Sequence, residues 1–210
     1  MLQYTAVYPR TLGLLRKLMQ EKCLSKFNLV GGTALALQLG HRISVDIDLF
    51  SKYDFDTKQM TATLSKTYKL NVVTEFENSL IQKLEYPANS GNFIKVDIIK
   101  YPYKLIRSPL ETDGIRLLTK EDIIPMKLSA IGSRGSKKDF FDIFFLLQEF
   151  SIKKMFDLFE QKFPNVNYFH IIKSLAYFED ADTELNPKTL KKTTWQQVKN
   201  EIKKQVKEYI

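Results

Sequence analysis

The run ISVDIDLF, residues 43–50, constrains this chain more than any other segment. In an extended strand its residues alternate, with Val45, Ile47 and Leu49 on one face and Ser44, Asp46, Asp48 and Phe50 on the other. The apolar set faces a core. Two carboxylates, spaced i and i+2, then project from the opposite face of a strand that is otherwise buried. Like charges held this close repel, and one takes up a proton unless a cation lies between them. A hard divalent ion such as Mg²⁺ prefers carboxylate oxygen and resolves the conflict. An exposed strand face with two solvated acids is the competing reading, and the pair alone does not separate the two.

A second strand, FIKVDII, shifts the balance. Phe93, Lys95, Asp97 and Ile99 share one face, and Ile94, Val96 and Ile98 the other. Asp97 is thus an acid within a strongly apolar strand, where an unpaired charge is strongly disfavoured. If the two strands are neighbours, Asp46, Asp48 and Asp97 converge as ligands for one or two ions of Mg²⁺, with Mn²⁺ as a substitute. Upstream, Gly31-Gly32-Thr33 follows a short apolar strand and opens a helix that ends at Gly40. A helix N-terminus offers free N–H groups and a positive dipole to phosphate. A Gly-Gly turn alone is often only a tight connection. A phosphate-binding turn, one helix and an acidic strand within 18 residues form the layout needed for a metal-bound nucleoside triphosphate.

The rest of the chain reads in two parts. Pro9 opens a helix reaching towards Lys26, and Asp56 caps another over DTKQMTATLSKTY. KLNVVTEF, SLIQKLEY and FIKVDIIKY are three strands in succession, with turns at Asn78 and at 87–91; strands joined so closely pair antiparallel. From Thr119 the pattern is helical. Thr119 with Asp122, and Ser136 with Asp139, have capping-box spacing. Further helices are expected over 151–162, 167–178 and 187–209, the last with Trp195, Val198, Ile202, Val206 and Tyr209 on one face. The fold class is α+β: a small mixed β-sheet flanked by helices (1–110), then a C-terminal helical bundle (111–210) that closes one side of the cleft and contributes Lys and Asp to it.

Several classes are excluded by the rest of the sequence. The only cysteine, Cys23, rules out an internal disulfide, and the two histidines, His41 and His170, lack the companions of a zinc site. No Gly-x-Ser-x-Gly or Walker sequence occurs. No apolar run of membrane-spanning length and no secretory signal is present, so the expected setting is cytoplasmic, with no membrane partner. The net charge of +8 favours a polyanionic partner. Residues 186–210 supply +5 of it, seven lysines against Glu201 and Glu208, as either a solvated helix face or an RNA-binding surface.

At this point the sequence resembles a family. GGTALALQLGHRISVDIDLF is similar to the opening motif of the AbiEii/AbiGii-type nucleotidyltransferase toxins, within the DNA polymerase beta superfamily. Gly31, Gly32, Arg42, Ser44, Asp46 and Asp48 match its small pair, Arg-x-Ser and Asp-x-Asp. A later block, DIIPMKLSAIGSRGSKKDFFDIFFLL, places Lys127, Arg134, Asp139 and Asp142 in matching positions, so the resemblance spans residues 27–150. It implies a nucleotidyltransferase fold, Mg²⁺, and transfer of a nucleoside monophosphate from a nucleoside triphosphate. In some members the acceptor is transfer RNA and a cognate antitoxin restrains the toxin.

These readings assign expected roles. Asp46 and Asp48 hold the metal, while Asp97 deprotonates the acceptor hydroxyl or binds a second ion. Gly31, Gly32 and Thr33 cradle a phosphate, and Lys127, inside an apolar helical stripe, reaches a buried anion such as the triphosphate or Asp142. Arg42 clamps phosphate or steadies Asp48; Ser44 bonds a phosphate or a neighbouring backbone group. His41 is expected to end its helix as a cation at the dipole. Asp139 and Asp142 share a helix face, and which of them enters the site is open. Two rivals share the fold: an inactive nucleotide- or RNA-binding protein, and a small-molecule nucleotidyltransferase.

Overall fold

Pro9 has a fixed φ and no N–H to satisfy, and it stands at the first turn of helix α1 (Pro9–Gln20). The computed structural model describes all 210 residues. After α1 the two-residue strand β1 (Asn28–Leu29) runs into helix α2 (Gly31–Leu39), which stops at Gly40. Strand β2 (Ile47–Ser51) follows, then helix α3 (Thr57–Leu64), where the Asp56 carboxylate accepts from Gln59 N at 3.0 Å. Strands β3 (Leu70–Phe76), β4 (Ser79–Glu85) and β5 (Phe93–Lys100) form an antiparallel meander.

A hairpin beyond the three expected strands comes next: β6 (Leu110–Thr112) and β7 (Ile115–Leu117). Its turn is Asp113-Gly114, both at positive φ (52° and 74°), as a two-residue hairpin of matching twist requires. The seven strands form one mixed sheet in the order β3-β4-β5-β2-β1-β7-β6. The β2–β5 and β1–β7 pairs are parallel. The sheet therefore extends beyond residue 110, to Leu117.

The remaining chain is helical: α4 (Lys120–Ser133), α5 (Lys137–Leu146), α6 (Ile152–Lys162), α7 (Phe169–Leu175), the single turn α8 (Glu179–Asp182) and α9 (Trp195–Tyr209). Helix α2 packs on β2, α4 and α5, so the sheet and the helices share one continuous core. Val198, Ile202 and Val206 of α9 are buried, Trp195 stacks on Phe141, and Tyr209 stacks on Phe156. No helix is long and apolar enough to cross a membrane.

Three local expectations are corrected. Strand pairing in ISVDIDLF begins only at Ile47; residues 42–46 are extended but pair elsewhere, with Ser44 N donating to Ala6 O at 2.9 Å. The last helix begins at Trp195, not at 187. Residues 187–191 instead run beside 41–43, Ile43 N donating to Lys188 O and Leu190 N to His41 O, each at 2.8 Å. The Thr194–Gln197 capping box then starts α9. Neither Thr119 nor Ser136 makes a side-chain cap; Asp122 pairs with Lys162, and Asp139 with Lys127 and Arg134.

Candidate active site

The cleft forms where β1 turns into α2 beside β2 and β5. Val30 N donates to Asp48 O at 2.9 Å, fixing the turn against β2. Gly31 has φ of 66°, and a Cβ there would lie 2.3 Å from Asp48 Oδ2. A Cβ on Gly32 would lie 2.6 Å from an Arg42 Nη. Both glycines are thus required by side chains of the protein's own site, a closer constraint than the phosphate approach alone. Thr33 Oγ1 donates to the Asp46 carbonyl and shares a hydrogen bond of 2.8 Å with Ser44 Oγ. Thr33 is buried and pins the bend ahead of β2, while Ser44 lines the cleft.

Asp48 and Asp97 are direct register partners on the parallel strands β2 and β5, so both carboxylates leave the same face of the sheet. Asp46, two residues ahead of Asp48, joins them in the lining of a cleft of about 330 Å³. Burial, with Asp97 close by, pushes the Asp48 carboxyl up to about 6. Asp97 is 9% exposed, one oxygen 2.5 Å from Lys95 Nζ, the other buried with no partner. The three acids do not close into a ready-made metal cage, since Asp97 turns towards Lys95. The donor set nevertheless fits a hard dication: oxygen ligands only, mutually repelling, one of them buried and unsatisfied.

Behind the acids lies a buried ion network. Asp142, fully buried, accepts at Oδ1 from His41 Nε2 and Arg42 Nε, each at 2.7 Å, and at Oδ2 from Arg42 Nη2 at 2.9 Å, with Lys127 Nζ 2.6 Å from Oδ2. Lys127 is also bonded to Asp139 at 2.9 Å, and Arg134 reaches Asp139 at 3.0 Å. Burial alone would raise the Asp142 carboxyl, but Arg42 and Lys127 outweigh it and hold it well below its ordinary value. Burial would likewise discharge Lys127, and Asp142 and Asp139 overcome it, keeping the ammonium charged. His41 is pulled below its ordinary value by burial, so it stands neutral at neutral pH, donating from Nε2.

This network revises several expected roles. Arg42 grips Asp142 rather than Asp48, and its guanidinium borders the cleft. His41 is not a surface cation at a helix end but a buried donor. Asp139 is no capping residue, and neither Asp139 nor Asp142 lines the cleft. Both hold cations instead. Lys127 does line the cleft, with its charge already paired. Three cations, Arg42, Lys127 and Arg134, stand against two carboxylates, so the network is positive behind the three acids.

Lining residues absent from the sequence reading are Lys138, Glu184, Leu185 and Pro187. Glu184 accepts from Ser136 Oγ at 3.0 Å and Lys137 N at 2.9 Å, tying the segment before α9 to the start of α5. No local signal marks Glu184, Leu185 and Pro187, and Glu184 meets the start of α5 across 47 residues of chain. Lys95 had one: it shares its strand face with Asp97.

Similar solved folds agree with this architecture. A Helicobacter pylori protein described as a nucleotidyltransferase superposes with a TM-score of 0.63 at 14% identity, covering 95% of this chain and 94% of that one. MenT4, a nucleotidyltransferase toxin of Mycobacterium tuberculosis H37Rv, gives 0.53 at 12% identity, covering 94% and 86%. At such identities the likeness establishes the fold, which is that of the nucleotidyltransferases. The chain belongs to the family described as "Nucleotidyl transferase AbiEii toxin, Type IV TA system", whose model matches residues 13–208. It is also 33% identical over 202 residues to the uncharacterized protein aq_aa25 of Aquifex aeolicus (strain VF5), across 93% of this chain and 94% of that one.

Proposed function

We propose that this chain transfers a nucleoside monophosphate from a nucleoside triphosphate to an acceptor hydroxyl on transfer RNA or another RNA, and that a cognate antitoxin restrains it. The observation that carries the reading is the register pair Asp48–Asp97, beside a Gly-Gly turn and in front of a buried cationic network. Asp46, Asp48 and Asp97 would hold Mg²⁺, or Mn²⁺ in its place. When bound, the ion neutralises triphosphate charge and lowers the pKa of the attacking hydroxyl.

The chain's own groups divide the remaining work. The N–H groups of Gly31 and Gly32, at the start of α2, face the phosphates. Arg134, with a side chain 59% exposed, and the exposed Lys138 meet the outer phosphates, while Lys127 adds positive potential from behind. Asp97 takes the proton of the acceptor hydroxyl. The acceptor oxygen bonds to the α-phosphorus, the bond from that phosphorus to the β-phosphate oxygen breaks, and pyrophosphate leaves.

The test is incubation with Mg²⁺, each α-labelled nucleoside triphosphate in turn, and total transfer RNA. Label on RNA that disappears with Asp46→Asn supports the reading. Pyrophosphate release without labelled RNA points to a small-molecule acceptor, and no consumption of any triphosphate overturns nucleotidyl transfer.

A further inference from the structure

Phe50 lies two residues past Asp48 on the same face of β2, and the chain leaving β5 brings Tyr101 and Tyr103 to it. The rings form a continuous series. Phe50 and Tyr101 have centroids 5.3 Å apart, Tyr101 and Tyr103 4.8 Å, and Tyr103 meets Phe163 edge-on at 4.8 Å. Phe50, Tyr101 and Tyr103, with Asn28, Tyr53 and Leu118, line a cleft of about 180 Å³. That is smaller than the roughly 300 Å³ at which sites for drug-sized ligands begin, and suits one planar group.

Two features make this more than an aromatic surface. The first is charge: Lys26 and Lys52 stand 4.8 and 5.1 Å from the Tyr53 ring centre, and no carboxylate lines the cleft. The second is rigidity. Lys162 and Asp122, both fully buried, pair at 2.8 Å; Asp122 accepts from Ile106 N and Arg107 N at 2.9 Å each, and Lys162 donates to Lys104 O at 3.2 Å. The loop carrying Tyr101 and Tyr103 is therefore held in place before any ligand arrives. Tyr103 and Tyr53 nevertheless remain 44% and 48% exposed.

Half-exposed tyrosine rings with a lysine rim and a half-buried amide, Asn28, match the chemistry of a single-stranded nucleic acid, which brings a base to stack and phosphates to neutralise. An apolar peptide side chain would fill the rings and leave both lysines without an anion. We propose that this cleft is a stacking subsite for one base of single-stranded RNA, with the flanking phosphates against Lys26 and Lys52. It rests on the proposed transfer to RNA only for where the strand leads: two residues along β2 from the acids.

The test is binding of a single-stranded RNA heptamer carrying a central 2-aminopurine to the full chain without triphosphate. Affinity is read by anisotropy and stacking by quenching. Tyr103→Ala is expected to weaken binding roughly tenfold and abolish the quench, with Tyr103→Phe near wild type. Lys26→Gln with Lys52→Gln is expected to reduce the slope of log affinity against log salt by about 0.7 per lysine. Unchanged affinity and quenching in Tyr103→Ala, or an unchanged salt slope in the double variant, overturns the subsite. Triphosphate consumption measured alongside keeps the two readings apart. Consumption with RNA binding indifferent to Tyr103 removes the subsite alone, and tyrosine-dependent binding without consumption removes the transfer reading alone.

Discussion

Asp48 and Asp97 face each other in register across the parallel pair β2–β5, and the proximity of Asp97 helps to raise the Asp48 carboxyl to about 6. A fold that places two acids side by side in a half-buried cleft carries their mutual repulsion in the metal-free protein.

The first prediction concerns that strain. Asp48 binds its proton more tightly folded than unfolded, so stability of the metal-free protein falls as pH rises from about 3.8 to about 6. Above that window the penalty is complete, up to about 2 kcal/mol after allowance for partial solvent access. Asp48→Asn should remove it, flattening thermal stability between pH 4 and 7 and raising it at pH 7, while lowering transfer activity by about 10³-fold or more. Mg²⁺ should raise the melting temperature of the wild type and not of the variant. A variant less stable than wild type at pH 7 without metal would contradict the account.

Gly31→Ala tests the turn. The left-handed φ costs about 1–2 kcal/mol for a residue with a Cβ, and that Cβ would meet the Asp48 carboxylate. Loss of activity should therefore far exceed loss of stability. Equal activity in a folded Gly31→Ala protein, measured by pyrophosphate release, would show that Asp48 need not sit where it does.

Asp142→Ala should destabilise by about 3–5 kcal/mol in chemical denaturation, because Arg42 and Lys127 would keep buried charge without a partner. Asp142 is held well below its ordinary value, so its contribution is present at neutral pH and is lost only as pH falls into and below the carboxylate range. The difference between wild type and variant should accordingly shrink in strong acid.

The Lys162–Asp122 pair makes a separable prediction. Asp122→Ala should cost about 3–5 kcal/mol, and pairing it with Lys162→Met should recover much of that loss by removing the orphaned charge. The backbone N–H groups of Ile106 and Arg107 would stay unpaired in both, so the aromatic loop should exchange its amide hydrogens faster even where stability returns.

Much of this protein is written locally. Alternation alone put Asp48 and Asp97 on polar faces of buried strands, Asp56 marked the start of α3, and the 195–209 stripe matched the buried side of α9, because each pattern is a short-range consequence of backbone period; Asp46 precedes β2, and Val45 beside it is exposed. The Asp113-Gly114 turn is equally local, a two-residue hairpin signal just ahead of the helical half. What only the tertiary structure decided is which charge meets which. Arg42 and His41 find Asp142 a hundred residues away, Lys127 is shared between Asp139 and Asp142, and Glu184 returns to hold α5. Asp139 sits at a capping spacing that suggests a local partner, whereas the Lys127–Asp142 pair is one the sequence already offers. Burial selects among the candidates: inside a shared core a charge takes the strongest available counter-charge, and the chain's path, not its sequence spacing, determines what is available.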